Sequence, residues 1–156
     1  MSTLRQQILA AWKARAEAIL VANGFATDAG LRVEHRMAVP TEDDPTPLIY
    51  VYSAPAVIVA QDDVIIYDWA LYATVFTKTA SADPLDDAEL LLGDLERAMF
   101  LADRRLGDIL RANRNVGDVL YGDTGVEGPV IGGRFVTAWV EAMVRYTTRY
   151  GQPAAA

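Results

Sequence analysis

Residues 134–150 read RFVTAWVEAMVRYTTRY. Val136, Ala138, Val140, Ala142, Val144 and Tyr146 fall on one side of an extended chain. Thr137, Trp139, Glu141, Met143, Arg145 and Thr147 fall on the other. A period of two sustained over this length predicts a long β-strand with one packed face. A second stretch of similar length, VIIYDWALYATVFTK (64–78), is apolar on both sides for most of its course. It predicts a central strand covered on at least one face.

Working outward, LIYVYSA (48–54) is a short β-prone strand, followed by Pro55 and a brief apolar run, 56–60. A Gln61-Asp62-Asp63 turn then leads into the long strand. Upstream, Leu31, Val33, His35 and Met37 alternate with Arg32, Glu34 and Arg36, which predicts a half-exposed strand over 31–37. The segment VPTEDDPTP between these strands is a surface loop, because it combines three prolines with a cluster of acids. Downstream of residue 115 lies the glycine-rich stretch VGDVLYGDTGVEGPVIGG (116–133), expected to form a loop with one short strand near 116–121.

Two helices flank the strands. Residues 4–22 place Leu4, Ile8, Ala11 or Trp12, Ile19 and Ala22 on one face, with Asn23-Gly24 as the terminator. Asp83 and Pro84 have the chemistry of an N-cap and first helical position. Asp86, Asp87 and Glu89 then sit at the positive end of the helix dipole. Leu85, Ala88, Leu91 or Leu92, Leu95 and Met99 form the stripe expected to be buried, and Arg97, Arg104 and Arg105 follow toward the negative end. Residues 106–115 read as a short extra helix or an irregular link. Contiguous strands bracketed by helices, without strict alternation, predict an α+β fold: a mostly antiparallel β-sheet with two main helices packed on one face. One domain over residues 1–150 and a frayed tail, GQPAAA (151–156), complete the expected organisation.

Composition narrows the function. The 156 residues are 52% hydrophobic and 22% charged, and at this length a single core buries roughly 70% of the unfolded surface. The absence of cysteine excludes disulfides, thiolate zinc sites and a cysteine nucleophile. Fourteen Lys and Arg against 21 Asp and Glu give a net charge of −7, which argues against a protein built to recognise nucleic acid. The first 20 residues interrupt their apolar pattern with Arg5, Lys13, Arg15 and Glu17, so neither a signal peptide nor a spanning helix is expected.

Catalytic patterns fare no better. Asp123-Thr124-Gly125 has the form of an aspartic-protease turn, but it follows Tyr121-Gly122 and not an apolar strand. Gly122, Gly125 and Gly128 lack the context of a phosphate loop. His35, the one histidine, has no nucleophile motif beside it and reads as a packed or interfacial side chain. Asp43-Asp44 and Asp62-Asp63 lack the alternate spacing of a calcium loop. No catalytic, metal or cofactor residue is therefore assigned. The apolar strands exceed what two helices can cover, which points to surface buried in an oligomer.

The whole pattern resembles the tail terminator (minor tail protein U-like, tail completion) family of long-tailed bacteriophages and gene-transfer particles. The resemblance runs through RQQILAAWKARAEAIL, LRVEHRM, the Pro-rich acidic loop into PLIYVYSA, and VIIYDWALYATVFTK. It continues in DPLDDAELLLGDLERAMF and FVTAWVEAMVRYTTRY, so it covers roughly residues 3–150. It implies a non-enzymatic virion protein, assembled in the bacterial host cytoplasm and located at the head-proximal end of the tail. There a homo-oligomeric ring, expected to be a hexamer, caps the tail tube, stops its polymerisation and docks the head connector or stopper protein. No membrane and no direct nucleic-acid recognition are implied. Contacts are expected on the 38–47 loop with Glu42, Asp43 and Asp44, on the 55–63 segment with Asp62 and Asp63, and on the basic patch Arg104, Arg105, Arg111 and Arg114. Alternative readings are a head-side stopper or adaptor, or a small α+β ligand-binding or enzyme domain using the glycine-rich 117–133 stretch.

Overall fold

The computed structural model describes residues 3–79, 82–101, 115–129 and 134–149. Helix α1 spans Leu4–Glu17. Thr3 Oγ1 accepts from the Gln6 N–H at 3.3 Å, and the Thr3 N–H donates to Gln6 Oε1 at 2.7 Å. This reciprocal capping box satisfies two of the donors that a helix start leaves without partners. Leu4, Ile8, Trp12 and Ala16 form the buried stripe.

The helix ends five residues short of the expected 22. The chain instead doubles back: the Gly30 N–H donates to the Ile19 carbonyl at 2.8 Å. A Cβ at Gly30 would stand 2.6 Å from the Ala16 carbonyl oxygen, so only glycine permits this approach. Gly24 does take the left-handed conformation, with φ +83°, but it closes a 3-10 turn at Val21–Asn23 and not α1.

The strands are β1 (Val33–His35), β2 (Leu48–Ser53), β3 (Val57–Gln61), β4 (Val64–Lys78), β5 (Val116–Glu127) and β6 (Phe135–Arg149). The sheet runs in the order β1-β2-β4-β6-β5. β2 pairs with the later half of β4, from Leu71 to Phe76, and β3 pairs with the earlier part, from Ile65 to Asp68. All pairs are antiparallel except β1 with β2. β4 and β6 are in register over their full lengths, from Val64↔Arg149 to Lys78↔Phe135.

On one face of this ladder lie Trp69, Leu71, Ala73 and Val75 of β4, beside Ala138, Val140, Ala142 and Val144 of β6. They share the core with both helices: α1, and α2 at Pro84–Glu96. The expected α+β architecture, with the helices on one sheet face, is what forms. The Trp12 Nε1–H donates across this core to the Tyr72 carbonyl at 3.0 Å, and the Trp12 ring meets Phe100 edge-on at 6.4 Å.

α2 starts as its sequence dictates, with the Asp83 carboxylate accepting from the Leu85 N–H and Pro84 in the first turn. Its stripe is shifted, however. Ala88, Leu91, Leu95 and Met99 are buried, while Leu85 is 50% exposed. Asp94 occupies a buried position instead, only 5% exposed. Its carboxylate accepts from the Ala26 N–H (3.0 Å), the Thr27 N–H (2.8 Å) and Thr27 Oγ1 (2.7 Å), which pins the turn after α1 to α2. Beside it, the Arg97 guanidinium stacks 4.7 Å from the Phe25 ring centroid and donates to the Gly24 carbonyl.

Two strand expectations change. The 31–37 strand contracts to three residues, and Leu31 and Met37 on its apolar side are 70% and 80% exposed. His35 is exposed as well and is not packed in the core. The expected glycine-rich loop is an edge strand, β5, held to β6 from Val116↔Tyr146 to Glu127↔Thr137. Register shifts at 116–119 and 121–124 absorb the extra residues. The Asp123-Thr124-Gly125 triplet lies inside this strand. At Gly125 a Cβ would meet the Trp139 ring at 3.1 Å, so the glycine lets the indole lie flat against β5.

Replacing Asp94 by Ala removes the buried carboxylate that accepts from the Ala26 and Thr27 N–H groups and from Thr27 Oγ1, and is expected to cost about 1–3 kcal/mol of folding stability. Urea denaturation checks this, with Glu89→Ala on the exposed side of the same helix expected within about 0.5 kcal/mol of the parent.

Candidate assembly surface

The second face of the sheet carries no helix among the described residues. Its side chains are the alternate set of the same strands: Tyr50 and Tyr52 of β2, Tyr72, Thr74 and Phe76 of β4, and Phe135, Thr137, Trp139 and Glu141 of β6. Tyr52 and Tyr72 are direct cross-strand partners, and their rings stack at 5.0 Å with 12° between planes. Tyr50 packs on Phe76 at 5.4 Å and is almost fully buried. Burial raises the phenol pKa of Tyr50, and that of Tyr72 too, where Glu141 adds to the effect.

Leaving β1, the chain crosses the end of this face. Met37, Ala38, Val39 and Pro40 form one wall of an open cleft of about 810 Å³, with Tyr72, Thr74, Phe76 and Trp139 on its floor. Phe135, Glu127 and Gly128 also line it. Met37 and Val39 are each 80% exposed, so the wall presents apolar side chains to solvent.

The loop behind that wall carries the predicted acids. Thr41 donates through N–H (2.6 Å) and Oγ1 (3.0 Å) to the Asp44 carboxylate, and the Asp44 N–H returns a bond to the Thr41 carbonyl. These bonds hold the Asp44 carboxyl below its ordinary pKa. Asp44 is therefore engaged in shaping its own turn, while Glu42 and Asp43 are exposed. Lys78 Nζ donates to the carbonyls of Glu42 and Asp44 and lies 5.7 Å from the Phe135 ring centroid, tying the loop to the end of β4.

Asp62 and Asp63 lie elsewhere. They form the exposed tip of the β3–β4 hairpin, next to Val64 at the opposite end of β4 from Lys78. Fifteen residues of extended chain separate the two acidic loops by roughly 45 Å at about 3.3 Å per residue. The two groups thus mark two surfaces and not one. Arg104, Arg105, Arg111 and Arg114 lie outside the described residues. The expected 55–63 contact segment becomes β3, all five residues of which are exposed, with Val57 at 61%, Ile58 at 52% and Val59 at 46%.

The aromatic face does not stand out in the sequence, because tyrosine and tryptophan are equally at home in ordinary sheet packing. The available signal was the surplus of apolar strand surface over helix surface. Among the described residues, no group of three or more His, Asp or Glu side chains is arranged to hold a metal ion. Nor is any helix there long and apolar enough to cross a membrane.

No family model and no curated protein matches the sequence. Among solved structures, a chain in the virion of a native gene transfer agent (GTA) particle is similar, with a TM-score of 0.54 and 18% identity. The likeness covers 90% of this chain and 98% of that one. At this identity it establishes a shared fold, carried from one end to the other.

On the same outer face, toward the hairpin, Arg145 forms a two-point pair with Asp68, Nε–Oδ1 at 2.7 Å and Nη2–Oδ2 at 2.8 Å, between directly opposed residues of β4 and β6. The pair lowers the Asp68 pKa, so its contribution is present above the unfolded carboxyl range and fades as pH falls through the folded value. Because Arg145 is 56% exposed, Asp68→Asn is expected to cost at most about 1 kcal/mol at pH 7. Thermal melts of parent and variant across pH 2–7 check this, and their difference should hold above about pH 5 and narrow progressively as pH falls through and below the ordinary carboxyl range.

Proposed function

We propose that this chain is a structural virion protein, a tail terminator: a homo-oligomeric ring, hexameric in our reading, at the head-proximal end of a tail tube. It ends tube growth there and presents a docking face to the head connector. The observation that carries this reading is the end-to-end fold likeness to a gene transfer agent virion chain. The one-sided covering of the sheet supports it: the helices bury one face, and an aromatic, partly open face remains. A head-side stopper or adaptor would use the same surfaces toward a different neighbour.

A ring needs two unlike patches related by a rotation that closes, because identical patches give only a dimer. A cap also needs its two ring faces to differ, one matching the last tube ring and one refusing further tube subunits. The two acidic loops, roughly 45 Å apart along β4, fall on separate surfaces, each open to a different neighbour. We place Glu42 and Asp43 at one surface and Asp62 and Asp63 at the other, with Asp44 acting through the turn it closes. The basic patch at Arg104, Arg105, Arg111 and Arg114 stays in this proposal as the oppositely charged partner for one of them.

Native mass measurement with negative-stain imaging tests the ring, and six-fold rings are the expected result. Glu42→Lys with Asp43→Lys is expected to weaken ring formation or joining to the tail while leaving the melting temperature within about 2 °C, since both side chains are exposed. Intact assembly and joining in that variant would remove the 38–47 loop from the contact surface.

A further inference from the structure

The Tyr50 phenol is buried at a cost. Only 1% of the residue is exposed, and its hydroxyl oxygen shows less than 1 Å² of surface, too little for solvent to reach it as packed. Among the described residues that oxygen has no hydrogen-bond partner. A buried hydroxyl left unpaired is unfavourable, because in water it would be satisfied. The ring stands on the sheet face that carries no helix among the described residues, between Glu34 of β1 and Thr74 of β4 in the strand register. The Arg36 guanidinium lies 5.5 Å from its centroid, and the charges of Arg36 and Asp44 both act on the phenol. Those two residues belong to one segment, 36–47, which leaves the end of β1 and returns to the start of β2.

This segment is lightly held. Of residues 36–47 only Pro40 is buried, while Met37 and Val39 are 80% exposed. Among the described residues, Met37, Ala38, Val39 and Pro40 make no backbone hydrogen bond. The attachments lie to either side of that stretch. The Arg36 N–H donates to the Val51 carbonyl at 3.1 Å. Lys78 of β4 holds the far part, through its N–H to Thr46 Oγ1 at 3.4 Å and through Nζ to the carbonyls of Glu42 and Asp44. The bonds between Thr41 and Asp44 are internal to the segment and move with it. Beneath it, β2, β4 and β6 are joined by continuous ladders. A segment with few buried contacts laid over a well-paired sheet is the kind that opens locally.

We propose that residues 36–47 form a strap over Tyr50 that lifts while the sheet stays folded, and that the unpaired hydroxyl sets how often it lifts. Two effects oppose each other at this one side chain. Burial of the ring favours the closed strap. The hydroxyl favours the open one, because lifting lets water pair with it, and an unpaired buried hydroxyl shifts such a balance by roughly 5- to 100-fold. Met37–Pro40 belong to the strap and also wall the cleft of about 810 Å³, so lifting widens the cleft and adds the Tyr50 ring to its floor. The strap is thus a movable cover on the aromatic face. It stands on the packing of this chain alone and does not depend on the ring reading.

Native-state hydrogen exchange on the whole chain tests this, with the Arg36 amide reporting the strap and the Val75 and Val140 amides reporting the sheet. Tyr50→Phe removes the hydroxyl and keeps the ring. It should slow exchange at Arg36 by roughly tenfold and leave Val75 and Val140 within about twofold of the parent. Lys78→Met removes the Nζ bonds and should speed Arg36 exchange by roughly fivefold, again without moving the sheet amides. In that variant tetranitromethane should nitrate Tyr50 faster than in the parent by a similar factor, because lifting is what uncovers the ring. Exchange at Arg36 that is unchanged or faster in Tyr50→Phe would overturn the inference, since the hydroxyl would then be paired in the closed state. Equal slowing at Arg36 and in the sheet would overturn it too, because only global unfolding would release the phenol. So would faster Arg36 exchange in Lys78→Met with no change in Tyr50 nitration, which would show that the segment does not cover the ring.

Discussion

Everything in this molecule hangs on the fifteen-residue ladder between β4 and β6. Side chains on a strand alternate in direction, so one continuous register commits every second residue of both strands to the same layer. The layer carrying Trp69, Leu71, Ala73 and Val75 against Ala138, Val140, Ala142 and Val144 is closed by α1 and α2. A slip of one residue would carry Trp139 and Glu141 into that layer and expel the small and branched residues that let the helices approach. The same ladder also fixes the distance between the two ends of the sheet, and so between the hairpin and the cleft.

The helical layer is joined to itself by polar contacts of unusual reach. Asp94 holds the turn after α1 from 67 and 68 residues away, and Arg15 of α1 donates to the Met99 carbonyl beyond α2. The first gives partners to backbone donors in the turn after α1, and the second to a carbonyl just beyond α2. The uncovered layer is built differently. Its stability comes from stacked and tilted aromatic pairs, Tyr52 with Tyr72 and Tyr50 with Phe76, which hold a partly open surface flat without needing a helix over it. A surface that is apolar, aromatic and already rigid costs little side-chain entropy to bury again against a partner.

How much of this the amino acids announce depends on how local the signal is. The alternation in residues 134–149 gives β6 and its buried side directly, and Asp83-Pro84 gives the start of α2. β5 escapes because its glycines and aspartates carry turn chemistry, and what holds them extended is the neighbouring strand, including the Trp139 ring lying where a Cβ at Gly125 would be. The early end of α1 is equally non-local: it depends on Gly30 reaching back to carbonyls of Ala16, Glu17 and Ile19. For the candidate surface, the acids Glu42, Asp43, Asp62 and Asp63 are legible as exposed loop tips, yet their separation along β4 is not. That Asp44 closes its own turn, and that Met37 and Val39 wall an aromatic cleft, appear only once the strands are paired.

The proposed role is that of a ring, working through its surfaces, that ends a tail tube. Tube length during polymerisation tests it most directly. Tail tube protein assembling alone should give long tubes of broad length distribution, and adding this chain early should shorten them and leave one end decorated. Tubes of unchanged length with bare ends, from a folded and associating protein, would contradict the account.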